Sequence, residues 1–227
     1  MLFVNFAGMT QTISIKNQNF ILHPFGVVFW LEKSTLIISD VHLGKVSHFR
    51  KYGAAVPQKA IQKNFELLDE VVAFFKPTAI LFLGDLFHSS INKEWNLFKK
   101  WIAHTPIKII LVTGNHDIIS PVKYEELNIE ILPELIIGNF LFTHHPEIRD
   151  DLYNFSGHIH PCVNLKGAGK QSLRLPCFFK SEYQMILPAF GEFTGTYTLT
   201  PTKNDEIYVI SSKDVIKIQI SSPKKPI

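Results

Sequence analysis

The sequence predicts an α/β fold in which a helix-covered parallel sheet packs against a second, mostly β half. Three observations carry this expectation. Short apolar runs rich in β-branched residues alternate with amphipathic helical stretches between residues 35 and 112, the pattern of a parallel sheet. Helical periodicity then disappears from about residue 128 onward. Finally, four apolar runs stop abruptly at residues of the kind that bind metal. Ser39 precedes Asp40-Val41-His42, Leu83 precedes Gly84-Asp85, Thr113 precedes Gly114-Asn115-His116-Asp117, and Thr143 precedes His144-His145. A buried strand ending this way opens its C-terminal end onto a site.

Taken in order, residues 1–34 read as short strands. Thr12–Ile15 alternates, Asn17-Gln18-Asn19 is a turn, and Phe20–Leu22 and Val27–Trp30 are joined around Pro24 and Gly26. Leu36–Ser39 is a buried strand. Residues 44–56 hold Gly44 and Gly53 without a clean period and read as a loop. Pro57 suits a first helical position. Ile61, Phe65, Leu68, Val71 (or Val72) and Phe75 then recur at helical steps up to Pro77. Strand 79–83, helix 94–103 (Trp95, Phe98, Trp101), a stop at Pro106 and strand 108–112 follow. Beyond these, strands are expected at 129–132, 135–137, 140–142, 163–165, 173–175, 184–186, 207–210 and 215–220. Residues 1–220 are expected to form a single domain, with a frayed tail at 221–227.

The 227 residues, 46% of them apolar and 19 of them phenylalanine, can fill a large core. A charged fraction of 19% argues against disorder, and a net charge of +3 neither requires nor excludes a polyanionic substrate. No long Lys/Arg run marks a nucleic-acid tail, but Lys45, Arg50 and Lys51 offer a local basic group for a substrate phosphate. Cys162 and Cys177 match neither a disulfide framework nor a zinc motif and read as small buried residues. Asn5, and the lack of basic residues before a long apolar run, argue against a signal peptide. No stretch reaches the roughly 18 apolar residues of a membrane span. A soluble, cytoplasmic protein is expected.

Asp40, His42, Asp85, Asn115, His144, His158 and His160 are all oxygen or nitrogen donors. Such a set suits divalent manganese, iron, zinc or cobalt rather than an iron–sulfur or copper–thiolate centre. Seven donors are too many for one ion and fit two ions sharing a carboxylate, for which Asp85 is the natural bridge. A water between two such ions becomes a hydroxide near neutral pH and can attack phosphorus. His116 can donate a hydrogen bond to the phosphate and a proton to the leaving oxygen. Asp117 could orient His116 or start a helix. His23, His48, His88 and His104 read as ordinary core or surface histidines.

The order Asp-x-His, Gly-Asp, Gly-Asn-His-Asp, His, Gly-His-x-His resembles the calcineurin-like metallophosphoesterase superfamily over about residues 35–165. The resemblance implies a four-layer α/β/β/α sandwich. It implies that Asp40, His42, Asp85 and His160 hold one metal ion, that Asp85, Asn115, His144 and His158 hold a second, and that His116 is catalytic. Family patterns put the ligand directly after the strand, so His144 is the expected ligand and His145 is expected to point elsewhere.

Asp40–Lys45, Phe49-Arg50, Gly53, Val56-Pro57, Gly157–Pro161, Leu175–Phe178 and Leu187–Gly195 further resemble the ligase-associated DNA-damage-response phosphoesterases. That likeness implies a DNA-repair-associated phosphodiesterase or endonuclease, encoded near a DNA ligase and a helicase that are its implied partners; of the divalent ions named above, manganese is the expected one. It also allows a homodimer. Lys45, Arg50 and Thr194 are candidate substrate contacts, whereas Phe190 and Phe193 are expected in a core turn. The rival substrates are a nucleotide, a lipid-linked pyrophosphate or a phosphoprotein. The rival class is a non-catalytic scaffold on the same fold, which would be expected to have lost ligands that this chain keeps.

Overall fold

The computed structural model describes residues 10–53, 59–167, 171–191 and 194–219. Its first sheet begins as an antiparallel meander of β1 (Gln11–Ile15), β2 (Gln18–His23), β3 (Val27–Trp30) and β4 (Thr35–Ile38). Lys16 and Asn17 turn β1 into β2 with φ of 46° and 61°, the hand that matches strand twist in a tight hairpin. After β4 and a short helix α1 (Lys45–Lys51), the sheet grows by parallel addition of β5 (Ala79–Leu83), β6 (Lys108–Val112) and β7 (Ile129–Leu132). The crossovers carry α2 (Lys59–Phe75), α3 (Lys93–Ala103) and α4 (Pro121–Glu125). Parallel strands need such crossovers, because no two-residue turn can join them.

β4, β5 and β6 are apolar almost throughout because both of their faces are covered. On one face Leu36, Ile38, Ile80, Phe82 and Leu111 pack under Leu67, Leu68 and Val71 of α2 and Trp95, Phe98 and Trp101 of α3. On the other face Ile37, Leu81, Leu83 and Val112 meet the second sheet through Phe142, Phe155, Phe178 and Met185. Fully burying one such aromatic or aliphatic side chain is worth roughly 1.5–3 kcal/mol, so the seam between the sheets is a major stabilising contact.

The second sheet contains β8 (Leu135–Ile137), β9 (Phe140–Phe142), β10 (Tyr153–Ser156), β11 (Pro161–Lys166), β12 (Ser172–Lys180), β13 (Gln184–Ile186) and β14 (Tyr197–Thr198). Their order across the sheet is β14-β11-β12-β13-β10-β9-β8. β15 (Glu206–Ile210) pairs with β12, and β16 (Val215–Ile218) pairs with β15. β10 runs parallel to both β9 and β13.

Two mixed sheets with flanking helices are what the sequence leads one to expect, and the chain adopts them. Among the described residues α2, α3 and α4 cover the first sheet, whereas the outer face of the second is filled by Val163, Cys177, Phe179, Ile207 and Val209. Strand alternation explains this: Phe178 and Tyr208 point inward, while their neighbours Cys177, Phe179, Ile207 and Val209 point outward. Cys162 and Cys177 are both buried and free. No described helix is long and apolar enough to cross a membrane.

The structure departs from the sequence expectation in several places. Lys45–Lys51 is a helix, not a loop, and its cap comes from a distant residue described below. β10 was not expected, because Tyr-Asn-Phe-Ser looks half polar. In the fold Asn154 is buried and its side chain is fully occupied, donating to Leu141 O and Thr143 Oγ1 and accepting from Glu147 N. The short elements α4 and β14 also went unseen. β12 continues through Pro176 to Lys180, and β16 ends at Ile218. Pro57, Phe193 and the tail at 221–227 lie outside the described residues.

His23, at the end of β2, lies among Phe25, Phe74 and Phe75. Burial lowers its pKa to about 4. The folded protein therefore takes this proton only near pH 4, while the unfolded chain takes it near 6.5. Stability from this group is full above pH 6.5 and falls as the pH drops through that window, by on the order of 3 kcal/mol in total. Urea denaturation at pH 7.5 and 4.5 should show a smaller acid-induced loss in His23→Gln than in the wild type. Equal losses would mean that His23 does not titrate this way.

Candidate metal centre

The candidate site lies where the C-terminal ends of β4, β5, β6, β9 and β10 converge at the edge of the seam between the sheets. The loop after β4 is zipped to the loop after β5: Asp40 N donates to Gly84 O (3.2 Å), His42 N to Asp85 O (2.9 Å) and Leu43 N to Leu86 O (2.9 Å). This pairing bends the backbone sharply. Asp40, His42, Asp85, His158 and His160 all have positive φ, between 51° and 63°. Asp and His tolerate this region better than most residues, but each such position still costs on the order of 1 kcal/mol. Gly84 is required for a different reason. At φ 77° a Cβ here would run into the imidazole of His144.

Asp85 stands at the centre. Its Oδ2 is 3.3 Å from His42 Nε2, and its Oδ1 is 3.4 Å from His144 Nε2. Oδ1 also accepts a hydrogen bond from His116 N at 2.9 Å. On the His42 side stand Asp40 and His160. On the His144 side stand Asn115, with Oδ1 3.1 Å from His144 Nε2, and His158, with Nδ1 3.3 Å from the same atom. Asp40 spends Oδ2 on Ser39 Oγ (2.6 Å) and His158 N (3.0 Å), so its Oδ1 faces the cluster. Two groupings, Asp40–His42–His160 and Asp40–Asp85–His144, bring ligand atoms within 4.8 Å of one another.

Three features fit this donor set to cations. Asp40 Oδ1 and His160 Nε2 are buried, lie 3.0 Å apart without hydrogen-bond alignment, and have no hydrogen-bond partner among the described residues. His144 donates from Nδ1 to Leu83 O at 2.9 Å, so in the neutral ring the Nε2 lone pair faces the oxygens of Asn115 and Asp85. Lone pairs aimed at one another need a positive charge between them. Lastly, no sulfur enters the cluster, which matches borderline and hard divalent ions.

The electrostatics agree. Burial works against ionisation of Asp40 and Asp85, yet the surrounding histidines and hydrogen bonds hold both carboxyls below their usual range. Burial likewise opposes a charge on His144, but Asp85 and Asp40 raise its affinity for a proton. A site that favours a proton on an imidazole between two carboxylates also favours a metal cation there.

Several assignments change with the structure in hand. Asp117 neither starts a helix nor reaches the His116 ring. Its half-buried carboxylate accepts from Gly114 N (2.8 Å) and Phe87 N (3.1 Å), tying the β6 turn to the β5 loop. Burial pushes its pKa up to about 6. Thr194 places its hydroxyl 3.0 Å from His42 Nδ1, which orients that ring. Phe190 and Gly191 donate their N–H groups to Ser39 O and Asp40 O, so the segment after β13 braces the β4 loop. His145 does not point elsewhere: its ring lies 4.0 Å from that of His158 and 5.0 Å from that of His144.

His88, read from sequence as an ordinary histidine, belongs to the site. Its ring is 4.3 Å from that of His116 and 5.3 Å from that of His42. Burial and the neighbouring basic groups lower its pKa to about 4, so it is neutral at pH 7. Only its closeness to Gly84-Asp85 could have flagged it.

Helix α1 forms one wall. Gly44 offers it no side-chain cap, and Glu94 of α3 supplies one from 50 residues away. The Glu94 carboxylate accepts from Gly44 N (2.6 Å) and Ser47 N (3.0 Å). Asn92 Nδ2 donates to Gly44 O at 3.3 Å, while its Oδ1 caps α3 at Glu94 N. This arrangement holds half-buried Lys45 where burial lowers its pKa and the nearby charges of Asp40 and Asp85 offset part of that lowering. Arg50 is exposed five residues along, roughly 140° round the helix from Lys45.

The cluster of imidazoles and carboxylates on paired strand ends is one that can hold divalent metal ions, and the family match makes its class that of the metal-dependent phosphoester hydrolases. The chain belongs to the calcineurin-like phosphoesterase family, whose model matches residues 33–177. Among solved structures it is similar to the nuclease MPE of Pseudomonas putida. That match has a TM-score of 0.78 and 27% identity, and it covers 92% of this chain and 100% of that one. Weaker matches are the protein of unknown function AQ665 from Aquifex aeolicus and Yfce, a phosphoesterase from E. coli. The first has a TM-score of 0.41 and 18% identity over 56% of this chain and 78% of that one. The second has a TM-score of 0.39 and 13% identity over 82% of this chain and 99% of that one. Among curated proteins no relative matches.

Removing the Glu94 cap should strand two N–H groups away from water. Glu94→Ala is expected to cost about 3 kcal/mol in urea denaturation, given 1–3 kcal/mol per unsatisfied buried group. Amide exchange along residues 46–51 should accelerate. An unchanged midpoint would show that α1 does not depend on this contact.

Proposed function

We propose that this metal-dependent phosphoesterase is a dinuclear phosphodiesterase that cleaves DNA. The observation that carries the two-ion reading is the placement of Asp85, one carboxylate oxygen facing His42 and the other facing His144. In this reading Asp40, His42, Asp85 and His160 hold one divalent ion, and Asp85, Asn115, His144 and His158 hold the other. Manganese is the expected ion, with iron, zinc or cobalt as alternatives. The ions supply Lewis acidity toward the phosphoryl oxygens and an acidified water as nucleophile.

The protein's own contribution is positional. Asp40 is oriented by Ser39 Oγ and His158 N, His42 by Thr194, and His144 by Leu83 O, so the donors are set before substrate arrives. The backbone N–H of His116 is fixed on Asp85, which leaves its ring on the side of the site shared with His42 and His88. From there His116 hydrogen-bonds a phosphate oxygen and passes a proton to the leaving oxygen. Lys45 and Arg50 contact flanking phosphates. The nuclease likeness at 27% identity supports a nucleic acid over a nucleotide, a lipid-linked pyrophosphate or a phosphoprotein, and DNA as that nucleic acid rests on the sequence resemblance. Work beside a DNA ligase and a helicase in repair, and association as a homodimer, rest on the sequence resemblance.

Chelator-stripped protein with Mn²⁺ restored should cleave bis-p-nitrophenyl phosphate in preference to p-nitrophenyl phosphate. Preference for the monoester would overturn the phosphodiesterase reading. His116→Ala should lower turnover by roughly 10²–10⁴-fold, the range for a lost general acid, while keeping its metal content. Asp85→Asn should lose metal and turnover together. Wild-type turnover in His116→Ala, or full metal occupancy in Asp85→Asn, would remove the corresponding role.

A further inference from the structure

The strand end after β9 carries two adjacent histidines, and both face the cluster. Nitrogens of His144, His145 and His158 lie within 4.8 Å of one another. That trio contains no carboxylate and shares only His144 with the Asp40–Asp85–His144 grouping. Adjacent residues of a continuing strand point to opposite faces, so two neighbouring rings on one side require the strand to have ended and the backbone to be held in another path.

The backbone is held by a dedicated set of contacts. Gly157 N donates to His144 O at 3.0 Å, and Thr143 Oγ1 donates to His145 O at 2.7 Å. Asn154 Nδ2 donates in turn to Thr143 Oγ1 at 2.7 Å, while Asn154 Oδ1 accepts from Glu147 N at 3.2 Å. Asn154 is a buried amide in the middle of an otherwise apolar strand pair, and burying such a group is unfavourable unless its bonds are made. Two of its three contacts are spent on shaping residues 143–147. The result sets the exposed His145 ring 4.0 Å from that of His158.

We propose that His145 is an additional imidazole ligand of the second ion, which makes that position richer in nitrogen than the first. The inference rests on the two-ion reading above. Two imidazole nitrogens on one ion lie at most about 4.2 Å apart, and about 3 Å when adjacent around it. A ring now within 4.8 Å of its partners therefore needs to shift by about an ångström, within reach of an exposed side chain. The first position would then hold Asp40, Asp85, His42 and His160, an even mix of oxygen and nitrogen. The second would hold His144, His145 and His158 with Asn115 and Asp85. Imidazole-rich sites favour the later divalent ions, and oxygen-rich sites favour manganese. His145 thereby sets which ion occupies the second position.

The test is binding, not turnover. Apo wild-type protein, His145→Ala and His145→Asp would be titrated with Co²⁺ and Zn²⁺ by calorimetry, with visible absorption recorded for Co²⁺. Far-ultraviolet circular dichroism would confirm that the variants are folded. The wild type should take two equivalents of Co²⁺. His145→Ala should keep the first at wild-type affinity, weaken the second at least about 10-fold, and change the absorption bands of the second equivalent alone. His145→Asp should recover part of that affinity for Co²⁺ and less for Zn²⁺. If His145→Ala binds two equivalents with wild-type affinities and spectrum, the ligand role of His145 is overturned while the two-ion centre stands. If the wild type itself binds only one equivalent, the two-ion reading fails and this inference fails with it.

Discussion

Two carboxylates, Asp40 and Asp85, are taken out of water at the seam between the sheets, and the rest of the site answers to that burial. An uncompensated buried charge is strongly destabilising, whereas one with close partners of opposite charge and complete hydrogen bonds is tolerated. Asp85 meets this requirement with His42, His144 and the N–H of His116. Asp40 meets it on one oxygen with Ser39 and the N–H of His158, and leaves the other oxygen without a hydrogen bond, facing His160. The protein alone thus satisfies most but not all of this charge, and the remainder is what a cation supplies.

The same constraint shapes the backbone. Carboxylates and imidazoles can converge only if several chain segments approach closely, and here the loop after β4 is hydrogen-bonded both to the loop after β5 and to the segment after β13. Close approach forces left-handed backbone at Asp40, His42, Asp85, His158 and His160. It also excludes a side chain at Gly157, where a Cβ would strike Ser39 Oγ and Asp40 Oδ2. The strain is affordable because it rests on a sandwich whose two apolar layers are continuous and well filled.

Around this rigid centre the wall is built by contacts of long sequence range. α1 lies where it does because Glu94 caps it from α3, and Asp117 fastens the β6 turn to the β5 loop. Neither residue reads as structural in the sequence. Glu94 appears as one more charge at a helix start, and Asp117 as a neighbour of the catalytic candidate. His145 and His88 teach the same lesson. A ring's role depends on what stands across from it, and both face elements far away in the chain.

The sequence by itself determined what is periodic or local. Apolar strands and amphipathic helices of the first sheet follow from burial on both faces of β4–β6 and one face of α2 and α3. The metal-type donors announce themselves because they follow those strands directly. It missed α1, whose cap lies on another helix, and β10, whose polar Asn154 is acceptable in a buried strand only because Leu141, Thr143 and Glu147 bond to it. Tertiary structure alone decided that Asp117 clamps backbone and that His88 and His145 join the cluster. The physical reason is range. Propensity and hydrophobic period act over a few residues, whereas the hydrogen bonds and charge pairs that fix a buried polar site join residues that only the completed fold brings within 3–4 Å.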